Sequence, residues 1–204
     1  MDKVDLKKEF KSLYNPKARD WELVSVPEMQ FLMIDGQGDP NTSLDYSQAV
    51  EALFSLSYAC KFMSKKVLER DYTVLPLEGL WTADGHEGGE NDKSKYRWTM
   101  MIMQPDWISD IMCEQARQAT AAKKSPPALA QVRFERYDEG QSLQLLHIGS
   151  YDDEAPKLAR LHTEVMPARG LTFNGRHHEI YLSDPRRTDA SKLKTILRQP
   201  VTSI

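Results

Sequence analysis

The sequence SLDYSQAVEALFSLSYACKFMSKKVLE, residues 43–69, decides the fold class because it predicts a long helix between strands. Its apolar residues recur at steps of three and four, as on one face of a helix; they are Ala49, Leu53, Leu56, Ala59, Cys60, Met63 and Val67. On both sides of it, apolar and polar residues alternate in short runs that are typical of strands. The segment therefore predicts an α+β unit in which the helix lies on one sheet face.

The order of predicted elements occurs twice along the chain. The first occurrence comprises strands at WELVSVP and MQFLMIDGQG, the long helix, strands at PLEGLWTA and RWTMMIMQ, and a helix at residues 109–122. The second comprises a hairpin from QVRFERYDE and QSLQLLHIGS, a helix at YDDEAPKLARLHTEVMPARG, and strands at RHHEIYLS and LKTILRQPV. KKSPPALA reads as the linker between them.

This repetition predicts one domain over residues 1–204, built from two similar modules at residues 21–122 and 131–201. We expect antiparallel sheets with a helix on one face, a pseudo-twofold axis relating the modules, and a ligand cleft between them. The alternative is that a common α+β order recurs by coincidence.

Composition indicates an ordinary globular chain and argues against several functions. Of 204 residues, 40% are apolar and 28% are charged, and the net charge is −3. Without a net basic field, direct binding to nucleic acid is not expected. The sequence contains no run of about 18 apolar residues, so no membrane span is predicted. The amino-terminal segment lacks the apolar core of a secretory signal, so we expect a cytoplasmic location.

The two cysteines and the histidines indicate neither a metal nor a cofactor. Cys60 and Cys113 lie in predicted helices, outside any CxxC or Cys/His cluster, and read as buried free thiols. Adjacent residues on a strand point to opposite faces, so His177 and His178 cannot bind one metal together. His147 reads as a strand histidine with satisfied hydrogen bonds. No P-loop, GxSxG or HExxH motif occurs.

Glutamates interrupt two predicted strands. In RHHEIYL, Glu179 shares a face with His177 and Tyr181, whereas His178, Ile180 and Leu182 share the other, more apolar face. We expect that apolar face to contact the helix layer, which leaves Glu179 and Tyr181 facing a cleft or solvent. In PLEGLW, Glu78 and Trp81 point apart unless Gly79 forms a bulge that redirects the tryptophan.

Aromatic residues are frequent near these strands, and most are expected in the core. A carboxylate beside aromatic rings would nevertheless suit a flat or cationic ligand, because the rings offer contact area and a negative π face. Partial burial would raise the pKa of such a carboxyl toward neutrality, where proton transfer is efficient. The acidic stretches at residues 152–154 and 86–92 are interpreted as solvated, the second as a loop that could cover a cleft.

Five blocks together resemble the stand-alone GyrI-like small-molecule-binding proteins. They span nearly the whole chain and are VDLKKEFKSLY (4–14), LMIDGQGDPN (32–41), PLEGLW (76–81), QLLHIGSYDDE (144–154) and HHEIYLSDPRR (177–187). The resemblance implies two SHS2-type modules, similar to the ligand-binding domain of BmrR-type multidrug regulators, with a pocket for hydrophobic, cationic or aromatic compounds. Related sequences often have a second tryptophan after LEGLW; here Thr82 follows, which alters one pocket wall.

The resemblance also implies a site. Some stand-alone members hydrolyse the cyclopropane of DNA-alkylating cyclopropanoids, with a glutamate and aromatic residues implicated. Glu179 is thereby expected to be the general base and Tyr181 a hydrogen-bond donor to the substrate carbonyl. The expected ligand-binding residues are Glu78, Trp81, Trp98, Trp107, Tyr137, His147 and His177. No metal or other cofactor is expected.

Three functions remain open at this stage. The first is a detoxifying hydrolase, and the second is a binding protein that sequesters a drug without chemistry. The third is a sensor that acts through a protein partner, because the one short helix predicted at DLKKEFKSLY is too small for a helix-turn-helix module. Oligomeric state does not follow from the sequence.

Overall fold

The computed structural model describes residues 3–83 and 93–204 of the chain. These residues form two compact units that alternate along the sequence. Unit 1 consists of Met1–Glu9 and Met29–Tyr137, and unit 2 of Phe10–Glu28 and Asp138–Ile204. Both combine an antiparallel sheet with helices, which confirms the α+β class. The pseudo-twofold axis, the boundaries of the modules and the cleft stay predictions. The expected covering loop at residues 86–92 lies outside the described residues.

Eleven strands and six α-helices are described. The strands are β1 (Lys3–Val4), β2 (Glu22–Val26), β3 (Met29–Gln37), β4 (Asp71–Tyr72), β5 (Glu78–Ala83), β6 (Tyr96–Gln104), β7 (Arg133–Tyr137), β8 (Gly140–Ile148), β9 (Leu171–Phe173), β10 (His177–Tyr181) and β11 (Lys194–Ser203). The helices are α1 (Leu6–Glu9), α2 (Lys11–Tyr14), α3 (Leu44–Val67), α4 (Asp110–Lys123), α5 (Ala155–Arg160) and α6 (Met166–Ala168). The long strands and the helices α3 and α4 follow the predicted segments closely, whereas β1, β4 and β9 were not predicted and the one helix expected at DLKKEFKSLY is divided into α1 and α2.

Unit 1 contains an antiparallel sheet in the order β5-β6-β3-β7, covered on one face by α3. Ser43 caps α3, because its hydroxyl accepts a hydrogen bond of 3.2 Å from the Tyr46 amide. The predicted apolar face is buried from Ala49 to Cys60 but is exposed at Val67, where the helix ends. Helix α4 packs beside α3, and the two free cysteines are both buried.

Unit 2 contains an antiparallel sheet in the order β2-β8-β11-β10, with β9 paired to the end of β11. The predicted helix after β8 is built from four parts: a 3₁₀ turn at Tyr151–Glu154, α5, a π-helical turn at Leu161–Val165, and α6. It packs on the sheet in one apolar core, whose buried members are Trp21, Leu143, Leu145, Leu161, Met166, Leu197 and Val201. This core identifies the helix-bearing face of the sheet.

The predicted hairpin of β7 and β8 is wrong. Strand β7 pairs with β3 in unit 1, whereas β8 pairs with β2 and β11 in unit 2. Consecutive strands therefore belong to different units, as do β2 and β3. Neighbouring strands in a sequence pair often enough to make a hairpin the usual expectation, but only long-range pairing reveals this exchange.

The face of the unit 2 sheet opposite its helix holds a buried polar network. Arg198 lies 3.2 Å from Glu139, and His178 Nδ1 lies 2.9 Å from the same carboxylate. Arg198 also donates to the Leu13 carbonyl at 2.7 Å and to Gln144. These contacts satisfy the buried charges and attach the α2 segment to the sheet.

Candidate functional site

Glu179 lies on the helix-bearing face of the unit 2 sheet. It pairs with Leu197 on β11, which pairs in turn with Leu145 on β8, and both leucines belong to the helix-packed core. Directly paired residues share a sheet face. The expectation that Ile180 and its neighbours contact the helix layer is therefore wrong. Ile180 is buried on the opposite face of β10. Both faces of the strand are therefore covered, and the apolar character of the Ile180 face did not show which face contacts the helix.

The side chain of Glu179 lies beside its two neighbours on the same face of β10. The Tyr181 hydroxyl donates a hydrogen bond of 2.8 Å to Oε2 of Glu179. His177 Nε2 lies 3.4 Å from Oε1 of the same carboxylate, whose side chain is 16% exposed. The Tyr181 ring contacts the ring of Tyr151 edge-on, with a centroid distance of 5.8 Å. The structure thus brings together three of the predicted site residues.

A second carboxyl, Glu154, comes from the turn that precedes α5. It is 5% exposed, so the interpretation of residues 152–154 as solvated is wrong for this residue. Burial, and then the negative charge of Glu179, raise the pKa of Glu154 to about 9. Glu154 is therefore a neutral acid at physiological pH, close enough to Glu179 for the charge of Glu179 to act on it. A carboxyl that its environment keeps neutral beside a second carboxyl is typical of acid–base pairs.

Several buried polar atoms around these carboxyls make no hydrogen bond within the described residues. They are Glu154 Oε1, Thr195 Oγ1, and both ring nitrogens of His177. The Thr195 hydroxyl is near enough to Glu154 to offset part of the rise in its pKa, without reaching hydrogen-bond geometry. Buried polar groups normally find partners, so a cluster of unsatisfied ones indicates a place for a polar ligand or water. We name Glu154, Glu179, Tyr181, His177 and Thr195 the carboxylate site.

His147 lies on β8, across β11 from Tyr181, with Thr195 between them. Its Nε2 is 2.8 Å from the Ser150 carbonyl, and its Nδ1 is 2.7 Å from Lys157 Nζ. Both ring nitrogens thus contact protein groups.

Sequence reasoning did not single out Glu154, Tyr151, Lys157 or Thr195. A usable signal was present, because residues 151, 154 and 157 recur at steps of three, which places them near one another on a helical turn.

The remaining predicted residues lie in unit 1. Trp81 and Trp98 are cross-strand partners on the α3-bearing face, and both rings contact Tyr46 of α3, at centroid distances of 6.5 and 5.3 Å. Strand β5 keeps regular register from Glu78 to Ala83 without a bulge, so Glu78 and Trp81 point to opposite faces. Glu78 is fully buried.

Trp107 and Tyr137 pack separately within the same unit. The Trp107 indole donates to the Ser64 hydroxyl at 3.0 Å and contacts Tyr72 edge-on. The ring of Tyr137 contacts Phe31 edge-on.

Across the described residues, no group of three or more His, Cys, Asp or Glu side chains is arranged to bind a metal ion. None of the helices in residues 3–83 and 93–204 has both the length and the hydropathy that crossing a bilayer requires.

The sequence pattern of the GyrI-like small molecule binding domain family matches residues 20–202. No protein with a curated function shows significant sequence similarity to the chain.

Solved structures include relatives that match over nearly their full length. An uncharacterized conserved protein from Listeria innocua is 40% identical, with a TM-score of 0.89, over 98% of this chain and 100% of that one. A hydrolase from the same organism is 38% identical, with a TM-score of 0.86 and the same coverage. The C-terminal domain of EcmrR shares the fold at 10% identity, with a TM-score of 0.53, over 91% of this chain and 98% of that domain.

Proposed function

Because the chain belongs to the GyrI-like small molecule binding domain family, we propose that it binds aromatic or cationic small molecules at the carboxylate site and hydrolyses a strained electrophile there. The substrate class that we propose is a cyclopropanoid, in which the three-membered ring is conjugated with a carbonyl group. The observation that carries the proposal is the pairing of neutral Glu154 with Glu179 among buried polar atoms that lack partners. Similarity to a Listeria innocua hydrolase at 38% identity supports it.

The charge of Glu179 and the aromatic surface beside it would both favour ligand binding. The Glu179 carboxylate attracts a cation or the positive end of a polarised ligand. The rings of Tyr151 and Tyr181, which meet edge-on at 5.8 Å, offer apolar surface beside that charge. His177 and Thr195 add buried polar atoms that a ligand or its attacking water would satisfy.

Hydrolysis requires a base for water and an acid for the oxygen that gains charge. Glu179 is the base: its carboxylate, oriented by Tyr181, accepts a proton as water attacks a cyclopropane carbon. The strained carbon–carbon bond breaks, and its electron pair moves through the conjugated system to the carbonyl oxygen. Glu154 is the acid, because its neutral carboxyl can donate a proton to that oxygen. It thereby takes the role that we expected of Tyr181.

The proton balance closes within the site. After one turnover Glu179 carries the proton taken from water, and Glu154 has given its proton to the product. Transfer of the proton from Glu179 to Glu154 restores the starting state, in the direction that the raised pKa of Glu154 favours. The net reaction is the addition of one water molecule across the ring bond.

The test is turnover of a cyclopropane-fused dienone by wild type and Glu179→Gln, with ethidium binding measured by fluorescence. We expect the variant to lose roughly 10²–10⁴-fold in kcat, which is the usual contribution of a positioned base. It should retain binding of the neutral dienone and bind the cation ethidium more weakly, because it lacks the charge of Glu179. Glu164→Gln is the control, because Glu164 is a glutamate of the same unit that lies outside the carboxylate site, with a side chain that is 69% exposed. Near wild-type turnover by Glu179→Gln would falsify the catalytic assignment. Tight binding without any product, in wild type as well, would identify a sequestering protein instead.

A further inference from the structure

The turn that carries Glu154 and Tyr151 contacts the imidazole of His147 on β8. Ser150 O accepts a hydrogen bond of 2.8 Å from His147 Nε2, and it also accepts one of 3.1 Å from the Asp153 amide. Gly149 permits this approach, because it has a φ of +140° and a side chain there would lie 3.2 Å from the imidazole ring. The imidazole thus contacts the beginning of the turn directly.

The partners of His147 determine its tautomer. A carbonyl oxygen only accepts, so Nε2 carries the proton and donates to Ser150. A lysine ammonium only donates, so Nδ1 is unprotonated and accepts from Lys157 at 2.7 Å. The arrangement therefore requires a neutral imidazole between strand β8 and helix α5.

The turn has a second, local anchor that does not involve the sheet. Asp153 Oδ2 accepts hydrogen bonds from the Ser150 hydroxyl at 2.6 Å and from its amide at 3.3 Å. These bonds close the turn on itself. The His147 contacts connect it to β8, next to the strand pair that bears Thr195 and Tyr181.

We propose that His147 is a positioning residue: its neutral imidazole, held by Lys157, ties the 149–154 turn to β8 and thereby places Glu154 against Glu179. The consequence for catalysis rests on the proposed function, whereas the attachment of the turn does not. Three charged groups act on the imidazole, namely Lys157 from α5, Asp153 from the turn and Glu179 from β10.

The arrangement is sensitive to acid. Burial lowers the pKa of His147 most, and the positive charge of Lys157 lowers it further, while the hydrogen bond to Ser150 and the charges of Asp153 and Glu179 act in the opposite direction. Protonation would place an N–H at Nδ1 against the Lys157 ammonium and break their contact. Because the folded pKa is depressed, the stabilisation is present above the ordinary histidine pKa of about 6.5 and is lost as the pH falls through the folded value.

The test measures hydrogen exchange of the Asp153 amide in the free protein between about pH 7.5 and 5, together with NMR titration of the His147 ring. In wild type, protection of this amide should fall by up to about tenfold per pH unit as the pH decreases from about 6.5 toward the folded pKa of His147. In Lys157→Met, the His147 ring should titrate at a higher pH than in wild type. In His147→Gln, which keeps an N–H donor without a titrating ring, protection should not depend on pH in this way.

Three results would overturn the proposal: flat protection in wild type, an unchanged His147 titration in Lys157→Met, or wild-type pH dependence in His147→Gln. None of these measurements uses a substrate, so they remain decisive if hydrolysis is never observed. Where turnover is measurable, His147→Gln should also flatten the acid limb of kcat while KM changes little, which a general loss of stability would not produce.

Discussion

The Tyr181 hydroxyl donates a 2.8 Å hydrogen bond to the Glu179 carboxylate from two residues further along the same strand. Residues at that spacing lie on one sheet face, so the contact is built into β10 itself. It orients a carboxylate that is otherwise only part-buried and leaves its Oε1 beside His177.

The first prediction concerns this contact. Tyr181→Phe should lower kcat roughly ten- to a hundredfold, since a hydrogen bond to a charged group contributes about 1.5–3 kcal/mol. The ring contact with Tyr151 is kept, so ligand binding should change little. Steady-state kinetics check this, with Tyr58→Phe as a control at an exposed tyrosine of unit 1. An unaltered kcat in Tyr181→Phe would show that Glu179 needs no support from the hydroxyl.

The second prediction concerns pH and Glu154. The pKa of Glu154 is raised from the ordinary 4.5 to about 9 in the folded protein. The stabilisation from its neutral form is therefore complete below the ordinary value and is lost as the pH rises toward about 9, by up to about 1.4 kcal/mol per pH unit. Glu154→Gln mimics the neutral form and should gain stability relative to wild type as the pH increases.

Urea unfolding at several pH values between about 5 and 9 measures this difference. Glu164→Gln, on the exposed side of the same helical segment, should follow wild type throughout. A constant difference between wild type and Glu154→Gln across that range would mean that Glu154 ionises normally in the folded chain.

The third prediction concerns Arg198, whose side chain is fully buried beside Glu139. Arg198→Met should lower the free energy of unfolding by about 3–5 kcal/mol, because it removes the guanidinium from a buried carboxylate that, of its contacts with Arg198 and His178, keeps only the second. Adding Glu139→Gln should recover part of that loss. Denaturant unfolding of the single and double variants tests the coupling, and strictly additive effects would contradict it.

The fourth prediction concerns Gly36, which faces Trp98 across the β3–β6 pair. A Cβ at Gly36 would collide with the six-membered ring of that fully buried indole, so Gly36→Ala should destabilise the protein by about 1–3 kcal/mol. At Gly79 the nearest atom is the flexible end of Met100, so Gly79→Ala should cost less. Thermal unfolding of both variants gives the comparison, and an equal or reversed order would contradict the packing argument.

The carboxylate site shows where the sequence was sufficient and where it was not. Alternation along RHHEIYL correctly placed His177, Glu179 and Tyr181 on one face of a strand. It did not identify the neighbours of that face, because His178 and Ile180 on the other side are buried as well. Glu154 was missed for a related reason. Acidic residues in the first turn of a helix are normally exposed to solvent and stabilise the helix dipole from there. The sequence near Glu154 contains no feature that separates such an exposed carboxyl from one that tertiary packing buries.

The sequence by itself determined the local structure of this protein: the position of its main helices and strands, the α+β class, and which residues of a strand share a face. Those properties follow from backbone periodicity, which short segments express on their own. Only the tertiary structure decided that β2 and β7 pair in different units from their neighbours in sequence, and that Glu154 is buried near Glu179. Strand pairing and burial are long-range properties, because they depend on residues far apart in the chain. A periodic pattern predicts that a face will be covered, but it does not predict which element covers that face.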